Sequence, residues 1–172
     1  HAPAEPGDAL LALRAVRRLR LPRRRPPAPP PAEARLHGRL HSTQRDRAAI
    51  SHHYDISNAM YRAMLGPTMV YSCAYFTAWN NSLEQAQRDK LDMICKKLRL
   101  EPGDRYLDIG CGWGALICHA ARNYGVKAHG ITLSQEQLDF AREKIRRLGL
   151  SHRVTVELRD YADLDGTWDK IS

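Results

Sequence analysis

From residue 82 onward the apolar positions switch repeatedly between two periods. Leu83, Ala86, Leu91, Ile94 and Leu98 recur at helical spacing and predict one apolar face on a helix running to about Arg99. SLEQ at 82–85 has the form of a capping box and opens that helix. EPGD at 101–104 reads as a turn. RYLDI, 105–109, then reads as a strand, and residues 114–124 as a helix with Leu116, Ile117 and Ala120 turned inward. VKAHGITL, 126–133, is a second strand; a helix over 135–148 is stopped by Gly149; RVTVEL, 153–158, is a third strand; WDKIS, 168–172, begins another. Strands alternating with helices through short connections predict a parallel sheet with right-handed crossovers, the doubly wound α/β class. Upstream, Ser57 is placed to cap a short helix through Leu65, closed by Gly66-Pro67 and followed by the apolar and aromatic segment MVYSCAYF.

Charge divides the chain differently. Residues 1–50 hold eleven arginines, no lysine and four acids, for +7, and residues 51–172 carry only +1 of the total +8. Eight of the ten prolines fall within the first 31 residues, so LPRRRPPAPPP reads as an extended, solvated linker. Before it, ALLALRAVRRLRL suits a short basic amphipathic helix. Three readings stay open for it: a contact with an anionic membrane surface, the remnant of a transit peptide, or a disordered tail with neither role. Residues 1–50 are thus expected to be a largely disordered tail, and 51–172 a folded domain with an N-terminal helical cap. No apolar run reaches the ~18 residues a spanning helix needs. The cysteines at 73, 95, 111 and 118 lack the spacing of a zinc or redox pair, and no metal site is expected. Cys95 and Cys118 fall on helix patterns as small core residues, and a reducing cytoplasmic setting fits. A nucleic-acid binder is the rival of another class, since the front is basic; the nearly neutral folded part, with no basic stripe among aromatics, argues against it.

The strand RYLDI runs into glycines at 110, 112 and 114. In this fold class a ligand sits beyond the carboxyl ends of the strands, above the first strand-to-helix turn. Dinucleotide sites use G-x-G-x-x-G, with a pyrophosphate at the helix N-terminus. Here the third glycine comes one residue early, and G-x-G-x-G resembles the S-adenosylmethionine loop of Rossmann-like methyltransferases; a tight strand–helix joint is the plainer alternative. Asp108 is placed to meet the ligand's ammonium. The second strand ends in Gly130-Ile131-Thr132-Leu133-Ser134, without the acid that usually meets a ribose. Gln137 is the nearest substitute, and it also completes a second capping-box pattern with Ser134. Asp160 is either an adenine contact or an ordinary loop acid.

HYDISNAMYRAML, YSCAYF, LDIGCGWGA, GITLSQEQ and RDYADL together resemble the cyclopropane-fatty-acyl-phospholipid synthases and mycolic acid cyclopropane synthases, over residues 52–172. The resemblance implies a class I S-adenosylmethionine-dependent methyltransferase fold, cut after about three to four parallel strands. It implies transfer of a methylene group to the cis double bond of an acyl chain, usually in a phospholipid, by a cytoplasmic enzyme working at the membrane surface. By motif, Tyr71 and Ser72 look like contacts to the methionine end of the cofactor, and Gly110, Gly112 and Gly114 like its backbone cradle. Thr132, Leu133 and Gln137 look like ribose contacts, and Asp160 and Tyr161 like adenine contacts. Cys73 resembles a residue beside a bound bicarbonate, the family's proton acceptor; a buried small hydrophobe is its other reading. Residues 52–54 begin a segment that helps cover the site. Tyr71, Tyr75 and Phe76 offer aromatic faces near the entrance for a cation on the acyl chain. The glutamate, histidine and tyrosine that hold bicarbonate in the family have no counterpart here. The expectation is therefore a fragment, inactive alone, whose first strand lacks a full neighbour and exposes an apolar edge. A relative making a methyl or methylene branch, or methylating another small molecule, fits the same motifs.

Overall fold

The computed structural model describes residues 58–172. The arginine-rich front, residues 52–54 and the Ser57 cap lie outside the described residues. The elements are α1 (Asn58–Leu65), α2 (Leu83–Leu98), β1 (Arg105–Ile109), α3 (Ala115–Tyr124), β2 (Lys127–Thr132), α4 (Gln135–Arg147), β3 (Val154–Leu158), a 3-10 turn (Tyr161–Asp163) and β4 (Lys170–Ile171). The four strands form one parallel sheet in the order β3-β2-β1-β4. This is the doubly wound parallel arrangement expected from the alternating pattern. Among the described residues no helix is long and apolar enough to cross a membrane.

The core is laid down by the alternation itself. Tyr106 and Leu107 of β1, Ala128 and Ile131 of β2, and Val154 and Val156 of β3 are buried, together with Ile117, Cys118, Ala120 and Ala121 of α3. Strands covered on both faces read as nearly continuous apolar runs, and RYLDI is one. Cys95 and Cys118 are core residues as expected, and burial pushes the Cys95 thiol up to about 12. Leu83 departs from the expected apolar face: it is about half exposed in the first turn of α2. Ser82 caps α2, accepting from the Gln85 N–H at 3.2 Å, but the capping box is only half formed. The Gln85 side chain reaches Asp89, one turn on, at 2.6 Å instead of returning to the cap.

The first strand, expected to lack a full neighbour, has a short one in β4. β4 pairs with β1 through Tyr106↔Lys170 and Leu107↔Ile171. Further bonds, from Asp169 N–H to Arg105 O, Ser172 N–H to Leu107 O and Ile109 N–H to Ser172 O, run that ladder along β1. Five residues from Arg105 to Ile109 give a short strand, and the bonds to residues 169–172 run along it. The order of strands reverses between β1 and β4, and such a reversal opens a crevice at the carboxyl ends of the strands.

Candidate functional site

The β1–α3 loop stands at that crevice. Gly110, Gly112 and Gly114 all lie in the left-handed region, at φ 78°, 54° and 74°. Their surroundings separate them. A Cβ on Gly110 or Gly112 would meet no atom within 4 Å, because both line an open cavity of about 750 Å³. A Cβ on Gly114 would stand 3.1 Å from the Ala141 Cβ, so this glycine lets the start of α3 approach α4 and does not line the cavity. Of the three glycines expected to form a cradle, two line the cavity. The N–H groups of Gly110 and Cys111 both donate to Ile131 O at 2.9 Å, which ties the loop to the end of β2.

Ten of the expected contacts converge on this cavity: Tyr71, Ser72, Asp108, Gly110, Gly112, Thr132, Leu133, Gln137, Asp160 and Tyr161. They come from five separate stretches of chain, brought together because parallel strands present all their carboxyl ends on one side. Asp108 is buried at the end of β1. Its Oδ1 accepts from the Ser172 hydroxyl at 3.0 Å, and that hydroxyl also meets the Tyr106 hydroxyl at 2.6 Å. Burial raises the Asp108 pKa to about 6 despite the Ser172 hydrogen bond, which works the other way. Thr132 and Gln137 are buried together, with the Thr132 hydroxyl donating to Gln137 Oε1 at 2.7 Å. The Ser134 cap is made through the Gln137 backbone N–H at 3.3 Å, so the Gln137 side chain faces the cavity wall while its backbone serves the helix. The capping box is half formed: the Ser134 N–H goes to the Thr132 hydroxyl at 3.3 Å, and the Gln137 side chain does not return to it. Asp160 is buried and caps the 3-10 turn, accepting from the Ala162 N–H at 3.0 Å. Tyr161 is exposed at the rim.

Cys73, Tyr75 and Phe76 fall elsewhere. Cys73 is exposed and off the cavity wall, which removes its reading as a buried hydrophobe. Tyr75 lines a shallow recess on the other side of α2 with Asp89, Asp92 and Lys96, and Phe76 is exposed away from the cavity lining. The backbone of Tyr75 donates to Ala86 O at 3.1 Å, which holds this segment against α2 and directs it away. Of the three aromatics only Tyr71 reaches the cavity.

Several wall residues carry no signal in the sequence pattern. Trp113, between two glycines, is buried; its indole N–H donates to Asn58 Oδ1 at 2.7 Å and its ring lies 4.8 Å from that of Tyr61. Through it the loop is bound to α1. Met69, buried with φ 51°, forms part of the wall in a conformation that a residue with a side chain rarely adopts. Lys90, on α2, is buried in the same wall.

The donor set suits the ligand implied by the glycine loop. A buried carboxylate offers a partner for an ammonium, bare glycine backbone leaves room for close approach, and a hydroxyl–amide pair and Asp160 offer polar partners to a nucleoside. A pyrophosphate is disfavoured, because the Asp108 carboxylate would repel it.

The pattern described as Mycolic acid cyclopropane synthetase matches residues 41–172. The chain is 51% identical over 135 residues to a probable fatty acid methyltransferase of Pseudomonas putida, covering 77% of this chain and 34% of that protein. It is 47% identical over 140 residues to the cyclopropane-fatty-acyl-phospholipid synthase of Escherichia coli K12, covering 81% and 35%. Among solved structures, mycolic acid cyclopropane synthase CmaA1 complexed with SAH and CTAB superposes with a TM-score of 0.68 at 36% identity, covering 71% of this chain and 43% of that one. The chain spans about a third of the length of these curated relatives.

Proposed function

The chain belongs to the mycolic acid cyclopropane synthetase family, and from that premise we propose that it binds S-adenosylmethionine and serves transfer of a methylene group to the double bond of an unsaturated acyl chain in a phospholipid. One observation carries the reading: Asp108, Thr132, Gln137 and Asp160, four polar side chains from separate stretches, are all buried in the wall of one cavity at the carboxyl edge of the sheet. Bound there, S-adenosylmethionine supplies an electrophilic one-carbon group on a sulfonium.

The residues act as follows. Asp108, ionised above pH about 6, holds the ammonium of the methionine end. Gly110 and Gly112 admit that end against bare backbone. Gln137, its oxygen engaged by Thr132, directs its amide N–H groups to the ribose, and Leu133 packs beside it. Asp160 accepts from the adenine amino group and Tyr161 covers the ring at the rim. Tyr71 closes the cavity toward the acyl side, where exclusion of water keeps a positive centre unshielded. Cys73, exposed and off the cavity wall, is not placed to flank a bicarbonate in this cavity. Met60, Met64, Phe76 and Trp79, exposed within twenty residues of one another, support a lipid-facing surface and peripheral membrane contact.

Calorimetric titration tests the cofactor. S-adenosylmethionine and S-adenosylhomocysteine should bind and NAD should not; tight NAD binding with indifference to both sulfur compounds ends the proposal. The product is tested by proton NMR of lipid recovered from cells expressing the intact gene, where cyclopropyl signals are expected. A second reading, transfer ending in a methyl or methylene branch, is supported by the name of the Pseudomonas putida relative. It predicts branch-methyl or exomethylene signals in place of the ring.

A further inference from the structure

Lys90 is 6% exposed and turned from α2 into the cavity wall, beside Leu91 and Ile94. Lysine is almost never buried without an acid to pair with. Among the described residues no carboxylate lies within ion-pair distance of the Lys90 ammonium, although Asp108 lines the same cavity. Its hydrogen-bond partner is a neutral one, the Ser72 hydroxyl, to which Nζ donates at 2.6 Å. Burial lowers the Lys90 pKa, so its charged form is held at a cost that a leucine in the same place would avoid.

The hydrogen-bond accounting gives that charge a direction. An ammonium has three donors, and one is spent on Ser72. A serine hydroxyl that accepts from lysine keeps its own hydrogen to donate. Ser72 is held from a second side, since the Gln87 side-chain amide donates to its backbone carbonyl at 2.9 Å. The helix α2 therefore pins Ser72 at two points and leaves its hydroxyl hydrogen, with the remaining Lys90 donors, for an acceptor in the cavity. One cavity then presents a buried cation and a buried carboxylate that do not neutralise each other. That is the complement of an α-amino acid in its zwitterionic form.

We infer that Lys90 is a positioning residue that, with Ser72, receives the carboxylate of the ligand's amino-acid tail, while Asp108 receives the ammonium. The inference rests on the S-adenosylmethionine reading and names the residue that discriminates its amino-acid end. Lys90 orients the Ser72 hydroxyl as a donor and supplies the positive charge behind it. Three ligands separate the parts of the site. S-adenosylmethionine has both tail charges, its decarboxylated form keeps the ammonium and sulfonium and loses the carboxylate, and methylthioadenosine lacks the whole tail.

The test is calorimetry on the full chain with these three compounds. Lys90→Met should weaken S-adenosylmethionine by about 10- to 100-fold, the range for loss of a hydrogen-bonded charge. Decarboxylated S-adenosylmethionine and methylthioadenosine should stay within about twofold of the unaltered chain, a span too small to count as a lost hydrogen bond. Retained methylthioadenosine binding shows that the variant is folded, and Lys90→Gln, closer in polarity, should repeat the pattern more weakly. Ser72→Ala should show the same selectivity. A loss shared equally by all three ligands makes Lys90 merely structural and overturns the inference, as does no loss at all. If the unaltered chain binds S-adenosylmethionine and its decarboxylated form equally well, the carboxylate receptor falls and the cofactor site stands. If it binds none of the three, both fall.

Discussion

On the floor of the cavity Asp108, Thr132, Gln137 and Asp160 are buried and each has a hydrogen-bond partner within the chain. At the rim Tyr71 and Tyr161 are about half exposed or more, and in the segment beyond, Tyr75, Phe76 and Trp79 are exposed as well. The floor is polar and the rim aromatic, although they lie on one hollow. The difference follows from where each is anchored. Asp108, Thr132 and Gln137 sit at strand ends and a helix start, so the sheet ladder fixes them before any ligand arrives, and Asp160 is held by capping the 3-10 turn. Rim residues sit on irregular chain between α1 and α2 and after β3, where few backbone hydrogen bonds set their place. A preorganised polar floor suits a small, fixed ligand, and an apolar rim suits a variable chain.

The sharpest way to break the floor is from behind. A Cβ on Gly130 would stand 2.7 Å from the Cys111 Sγ and 2.9 Å from the Ile117 Cδ1. Gly130→Ala forces β2 away from the glycine loop and should cost about 1–3 kcal/mol, the usual range for overpacking. Scanning calorimetry should show the melting temperature falling by roughly 3–10 °C, with ligand affinity lost in parallel. An unchanged melting temperature would mean that the loop is not held by this contact.

A change confined to the floor's charge should leave the fold and alter the ligand. The raised Asp108 value means that the folded chain keeps a proton there between pH 3.8 and about 6 while the unfolded chain releases it. The stability that proton represents is present at low pH and is lost as pH rises to about 6. Ligand binding has the opposite sign: the ionised carboxylate is the form that holds an ammonium, so affinity falls by up to about tenfold per unit below pH 6. Asp108→Asn should flatten both profiles, raise stability near pH 7 slightly, and weaken S-adenosylmethionine at neutral pH. Melting curves and titrations across pH 4–8 check the pair of slopes; a sloped affinity profile in the variant would assign the titration to another group.

At the rim the smallest effect is expected. Trp79 is fully exposed, so Trp79→Ala should change stability by less than about 0.5 kcal/mol. Cofactor affinity should also be unaltered, while co-sedimentation with anionic phospholipid vesicles should decrease. A large stability loss would show that the rim is as fixed as the floor.

Much of this was legible before any coordinates. Period-2 and period-3.6 patterns, with Gly and Ser at the boundaries, determined the strands and helices to within a residue or two, because those preferences are local. The order of elements determined the parallel sheet, the chemistry of the loop singled out Asp108, Gly110 and Gly112, the acid missing from the end of the second strand pointed to Gln137, and Thr132 came from the family resemblance. What the local pattern could not contain was which surfaces would meet. Gly114 belongs to the α3–α4 contact, Tyr75 turns away from the cavity, and Ser172 completes the partner of β1, each because of a neighbour distant in sequence. Lys90 is the clearest case. On a helix read alone it is one more solvated charge, and only the packing of α2 against the cavity removes its water and makes that charge available to a ligand.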